Sequence, residues 1–118
     1  MRYALPALCL AIGTALATLP GPATAEGSIP FVDKLTLRVG ESAVIHGIRG
    51  DCGKLPAKSQ LKPRKLKTGT LTIGREGTRS SRRCGGLTPA VEVIFTATAP
   101  GKETFTVEGD RMRVTVTE

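Results

Sequence analysis

Residues 78–86 read T-R-S-S-R-R-C-G-G, a cysteine behind three arginines and ahead of two glycines. Three chemistries fit this pattern. Cationic neighbours lower a thiol's pKa and make it a nucleophile. Arginines beside glycines cradle an anion. A cysteine that finds a partner staples a basic loop. The reactive reading needs a free thiol, and the C-x-x-C spacing of a redox protein is missing. A metal reading would have to combine His46, Cys52 and Cys84, three ligands without a compact motif. With one histidine and dispersed carboxylates there is no triad or acid pair to argue from, and the serines near Arg79–Arg83 have no obvious base. The glycines at 74, 77, 85 and 86 do not follow a phosphate-loop pattern. R-G-D at 49–51 is the cell-adhesion tripeptide, a three-letter motif that arises often by chance. The chemistry-bearing residues therefore predict no enzyme, no cofactor and no metal.

Compartment decides between a free thiol and a staple. Arg2 precedes an apolar run over residues 4–19, and Ala23 and Ala25 form an A-x-A cleavage site. This is the layout of a secretory signal peptide. The run is short of the ~20 apolar residues that a membrane span needs, and Pro6 interrupts it. Cleavage after Ala25 is expected to remove residues 1–25, Cys9 among them, and to leave one domain over residues 26–118 with no transmembrane segment. The destination is the periplasm or the extracellular medium. A pair of cysteines in an oxidising compartment predicts a Cys52–Cys84 disulfide. A small domain often needs such a staple because it buries only a modest core.

Charge is concentrated in one segment. Residues 49–83 hold 11 basic and two acidic residues, a net +9, against a net −3 for the rest of the expected mature chain. The bases are Arg49, Lys54, Lys58, Lys62, Arg64, Lys65, Lys67, Arg75, Arg79, Arg82 and Arg83. Either they form a solvated, solubilising surface, or they contact an anionic envelope polymer, lipid headgroups or an acidic protein. For the second reading, the candidate binding residues are Arg75, Arg79, Arg82, Arg83, Lys62, Arg64, Lys65 and Lys67. The arginines near Cys84 lead, because a staple beside them lowers the entropy cost of binding. The expected mature chain has Phe31, Phe95 and Phe105 but no Tyr or Trp. Proteins that grip single strands stack bases on aromatic rings, and export removes genomic DNA, so no nucleic-acid partner is expected.

The elements that must carry these residues read as strands. Val91, Val93, Phe95 and Ala97 alternate with Glu92, Ile94, Thr96 and Thr98, period two with β-branched residues. Pro100-Gly101 fits a turn. Phe105 and Val107 alternate with Thr104 and Thr106, Gly109-Asp110 marks another turn, and Met112, Val114 and Val116 alternate with polar residues. Three strands in series predict an antiparallel meander with Val93, Phe95, Phe105, Val107, Met112, Val114 and Val116 inside. Residues 34–39 and 42–48 read as two more strands, and T-L-T-I at 70–73 as a short one. Pro56 and Pro63 confine A-K-S-Q-L-K to a turn or two of helix. At least six short strands with almost no helix predict an all-β protein, a small antiparallel β-sandwich.

Two motifs carry a resemblance. L-T-L-R-V-G-E-S near the start, with F-T-A-T-A-P-G-K-E-T-F-T-V and V-T-V near the end, resembles bacterial immunoglobulin-like (Ig-like) domains. These often open with strand, V-G-E/D, strand, and close with F-x-A, P-G, strand, turn, V-x-V. The resemblance covers residues 34–48 and 91–116. It implies an Ig-like sandwich and an adhesion, scaffolding or assembly role. Chagasin-like cysteine protease inhibitors share this framework and give the alternative function. Their protease-binding loops are read from N-P-T-T-G, an aromatic-containing glycine loop and R-P-W, none of which this chain has. At the place of the first stands H-G-I-R-G-D-C-G. The leading expectation is an exported, non-enzymatic binding module of the bacterial envelope that meets an anionic partner through its basic loop region.

Overall fold

The computed structural model describes residues 28–118; the expected signal peptide and its cleavage site lie outside the described residues. Seven strands follow in order: β1 (Lys34–Arg38), β2 (Ser42–Arg49), β3 (Arg64–Lys65), β4 (Gly69–Ser81), β5 (Gly86–Ala97), β6 (Gly101–Val107) and β7 (Asp110–Thr117). They form two sheets, β1-β7-β6 and β2-β5-β4-β3. A-K-S-Q-L-K supplies a single 3-10 turn, Lys58–Gln60. The sandwich is antiparallel except at one edge, where β1 runs parallel to β7. That exception follows from the turn after β1. Gly40 takes a left-handed φ of 96°, and Glu41 N–H donates to the Arg38 carbonyl at 3.0 Å. The turn delivers β2 to the opposite sheet, so β1 has no hairpin partner and lies along β7 instead.

The period-two pattern does what it implies for packing. All seven residues expected on the inner face are buried, and Ile45, Ile48 and Leu71 join them in one core. Phe95 and Phe105 stack across the gap between sheets with ring centroids 6.0 Å apart. Burying a side chain of this class contributes roughly 1.5–3 kcal/mol.

The meander is corrected. β5 and β6 belong to different sheets, and only β6 and β7 pair as a hairpin. The backbone donors after β5 are already engaged: Thr98 and Ala99 N–H both donate to the Thr68 carbonyl at 2.8 and 3.2 Å, and Ala97 N–H donates to the Glu41 carbonyl at 2.9 Å. With those groups satisfied, Pro100 and Gly101 carry the chain over to the facing sheet. The faces were read correctly, because each strand buries the same side whichever sheet it joins.

The T-L-T-I strand is longer than its sequence suggests. β4 continues to Ser81 and pairs with β5 as far as Ser81↔Gly86, after an irregularity between Ile73 and Glu76. Residues 74–81 lack apolar alternation because this end of the hairpin reaches past the core; Leu87 on the partner strand is 68% exposed.

Candidate functional site

The β4–β5 hairpin ends in the stretch that carries Cys84. Cys84 N–H donates to Ser81 Oγ at 3.2 Å, and Gly85 N–H donates to the Arg82 carbonyl at 3.1 Å. Gly85 sits at φ 75°, which glycine adopts without steric cost. Cys84 is joined to Cys52 by a disulfide, Cα–Cα 5.4 Å. The Cys52 loop is fastened in turn, with Lys54 N–H on the Asp51 carbonyl at 2.8 Å and Gly53 N–H on Thr88 Oγ1 at 3.0 Å. Cys84 is therefore a staple, as export chemistry led one to expect. Its arginines do more than surround it.

They line a cleft of about 870 Å³, walled by Arg49, Arg79, Arg82 and Arg83 and faced by Glu108 and Asp110. Arg79 lies on the face of β2, where glycine makes room: a Cβ on Gly47 would stand 2.8 Å from Arg79 Cδ. Its guanidinium donates to the Gly47 carbonyl at 3.1 Å and lies 5.5 Å from the centre of the Phe31 ring, within cation–π range. Arg49, at the end of β2, donates to the Ser80 carbonyl at 2.9 Å. Two guanidinia are thus tethered by main-chain carbonyls. Arg82 and Arg83 are exposed on a backbone pinned by the disulfide.

Burial lowers the Arg79 pKa from the ordinary arginine value, the like charge of Arg49 adds to this, and Asp110 opposes it. Among the described residues the one carboxylate contact of this kind is to the His46 ring, from Asp110, so no carboxylate stands within 4.0 Å of these four guanidinia.

The acidic rim comes from the β6–β7 turn. Glu108 and Gly109 take φ of 51° and 84°, the two left-handed residues of a tight hairpin whose twist suits the strands. Asp110 accepts from His46 Nε2 at 2.8 Å. His46 is buried to 1% exposure. Its other ring nitrogen, Nδ1, lies 3.1 Å from the Gly47 carbonyl oxygen, and Phe31 meets the ring edge-on at 5.3 Å.

The eight candidate residues are not brought together. Arg79, Arg82 and Arg83 share the cleft. Lys62 and Arg64 border a separate hollow floored by Ile48, Leu71, Ile73, Val93 and Val107. Arg64 donates to the Thr106 carbonyl on the β6 edge at 2.7 Å and so ties the two sheets. Lys65 is exposed on β3 and Arg75 on β4. Lys67 N–H donates to Glu103 Oε2 at 3.1 Å. Arg49, Glu108 and Asp110 were not among the candidates. Arg49 had a signal, standing three residues before Cys52. The rim carboxylates had only the Gly109-Asp110 turn.

Among the described residues no group of three or more His, Cys, Asp or Glu side chains is placed to hold a metal ion. No helix among them is long and apolar enough to cross a membrane. The chain matches no family model, no curated protein and no solved structure. The geometry is that of a small disulfide-stabilised sandwich of three plus four strands, consistent with an Ig-like fold in general.

Proposed function

We propose that this chain is an exported, non-enzymatic binding module of the bacterial envelope, of the bacterial Ig-like kind, that holds an anionic partner in the arginine cleft. One observation carries the reading: four guanidinia line a single cleft with no carboxylate within 4.0 Å among the described residues. Desolvating like charges side by side costs free energy, and an oxyanion between them returns it through paired N–H···O bonds. The polar groups of the kind that serve catalysis have other partners. Ser81 Oγ accepts from Cys84 N–H, and His46 is buried against Asp110.

Retention on heparin tests the reading. Exposed charges act over about 8 Å at physiological ionic strength, so retention is expected to fall steeply with salt. The exposed pair Arg82→Glu/Arg83→Glu, checked for native circular dichroism, is expected to elute at clearly lower salt than the parent. Equal elution would make the arginines a solvated surface and end the proposal.

A further inference from the structure

Resting on that reading, we infer that the cleft takes a phosphorylated sugar, with its phosphate on Arg49 and Arg79 and its hydroxyls toward Glu108 and Asp110. The charge pattern of the walls leads to this ligand class. A chain with uniform negative charge, such as heparin, would bind through the arginines but be opposed by the two carboxylates of the same cleft, so it is not the ligand this cleft fits best. The ligand's charge must therefore sit at one end, and its other end must offer donors. Sugar hydroxyls do so, because an ionised carboxylate only accepts hydrogen bonds.

The phosphate end has a prepared seat. Arg49 and Arg79 each commit one terminal nitrogen to a main-chain carbonyl. A guanidinium carries five N–H donors in a fixed fork, so each keeps donors for an oxyanion. Both groups are held before the ligand arrives, which lowers the ordering cost of binding. Burial and the proximity of Arg49 depress the Arg79 pKa, a penalty that a neighbouring dianion removes. At the sugar end, Asp110 is 43% exposed and gives one oxygen, Oδ2, to His46, and its second oxygen, Oδ1, is a further acceptor. Glu108 is exposed.

Size and lining agree. A cleft of about 870 Å³ is far larger than a phosphate ion and falls among small-molecule sites, typically about 300–1,000 Å³. No aromatic side chain lines it, so it offers no ring for a nucleobase to stack on. The same chemistry arrives either as a free sugar phosphate or as the headgroup of a phosphorylated glycolipid.

The test uses the folded, oxidised protein. Glucose 1-phosphate, inorganic phosphate and glucose are titrated by calorimetry, with the arginine N–H resonances followed by NMR on the unaltered chain. Glucose 1-phosphate is expected to bind about tenfold tighter than either of the others and to shift the signals of Arg49 and Arg79. Arg49→Gln is expected to lose about tenfold in affinity. Glu108→Asn, which suits a left-handed position, is expected to abolish the preference over inorganic phosphate while phosphate itself still binds. Lys102→Gln, on β6 away from the cleft, is expected to change nothing.

In a second arm, phosphatidylcholine vesicles with and without diacylglucosamine 1-phosphate are co-sedimented with the protein. Arg49-dependent binding to the doped vesicles alone assigns the lipid source, and binding of the free sugar phosphate assigns the soluble one. Equal affinity for glucose 1-phosphate and inorganic phosphate, shifts confined to other arginines, or no binding in either arm would overturn the inference. Salt-dependent retention on heparin in that case would leave the broader anion-binding reading standing, so the two failures are distinguishable.

Discussion

His46 on β2 and Asp110 on β7 are joined at 2.8 Å across the two sheets, the histidine buried and the aspartate 43% exposed on the cleft wall. The bond anchors the acidic rim to the core. Removing the acceptor leaves a buried ring nitrogen unpaired, which costs about 1–3 kcal/mol. Asp110→Ala is therefore expected to lose about that much in urea denaturation. Asp110→Asn keeps an oxygen that accepts from Nε2–H and is expected to lose less. Equal losses would show that the carboxylate charge, which Asn lacks, carries the contact rather than the neutral hydrogen bond.

Phe105 faces Phe95 inside the sandwich, and its neighbour Thr104 points to solvent. Phe105→Ala is expected to cost about 3–5 kcal/mol, the range for deleting a buried aromatic. Thr104→Ala is expected to fall within about 0.5 kcal/mol, as for most surface substitutions. Chemical denaturation of the two variants checks the register of β6.

The Cys52–Cys84 disulfide spans a sequence separation of 32. In the chain-entropy model a loop of this size is worth about 3–4 kcal/mol. The double variant Cys52→Ser/Cys84→Ser is expected to lose stability on that scale, measured by its denaturation midpoint. Intact mass is expected to rise by two hydrogens on reduction. When the full chain is produced in an exporting host, the expected mature N-terminus is Glu26, which the same mass measurement reads.

Glu103 gives the fold a pH dependence. Burial alone would raise its pKa, but hydrogen bonds from the Thr68 hydroxyl, the Thr68 and Lys67 N–H groups, and the Lys67 charge lower it below the ordinary 4.5. A carboxylate whose folded pKa lies below its unfolded value binds fewer protons in the folded state. Its contribution is complete above the unfolded pKa and is lost as pH falls through the folded one. Glu103→Gln is expected to remove this component: the difference in stability between parent and variant should shrink as pH is lowered below the ordinary glutamate range. A difference that stays constant with pH would assign the Glu103 contacts a steric role only.

The strands and their buried faces were legible because they depend on local alternation. Val93, Phe95, Phe105, Val107, Met112, Val114 and Val116 each stand in a period-two run, and the pleat turns such a run into a face whatever the partner. The Cys52–Cys84 pair was legible because the expected signal cleavage, which would remove Cys9, leaves one pairing. Which sheet each strand joins was not local. The break between β5 and β6 depends on Thr68, some thirty residues upstream, taking the N–H groups of Thr98 and Ala99. The parallel β1–β7 edge depends on the chain crossing over at Gly40.

The same division holds for the cleft. Composition alone marks residues 49–83 as cationic and Cys84 as their fixed point. Only the tertiary structure separates Arg64, which ties the two sheets, from Arg79, which is held over Gly47. It also sets Arg49 beside Arg79 and brings in Glu108 and Asp110 from a turn near the end of the chain. The physical reason is that charge is a property of a residue, whereas a binding site is a set of distances. Those distances are fixed by strand register, by the His46–Asp110 bond and by the disulfide, each of which joins residues remote in sequence.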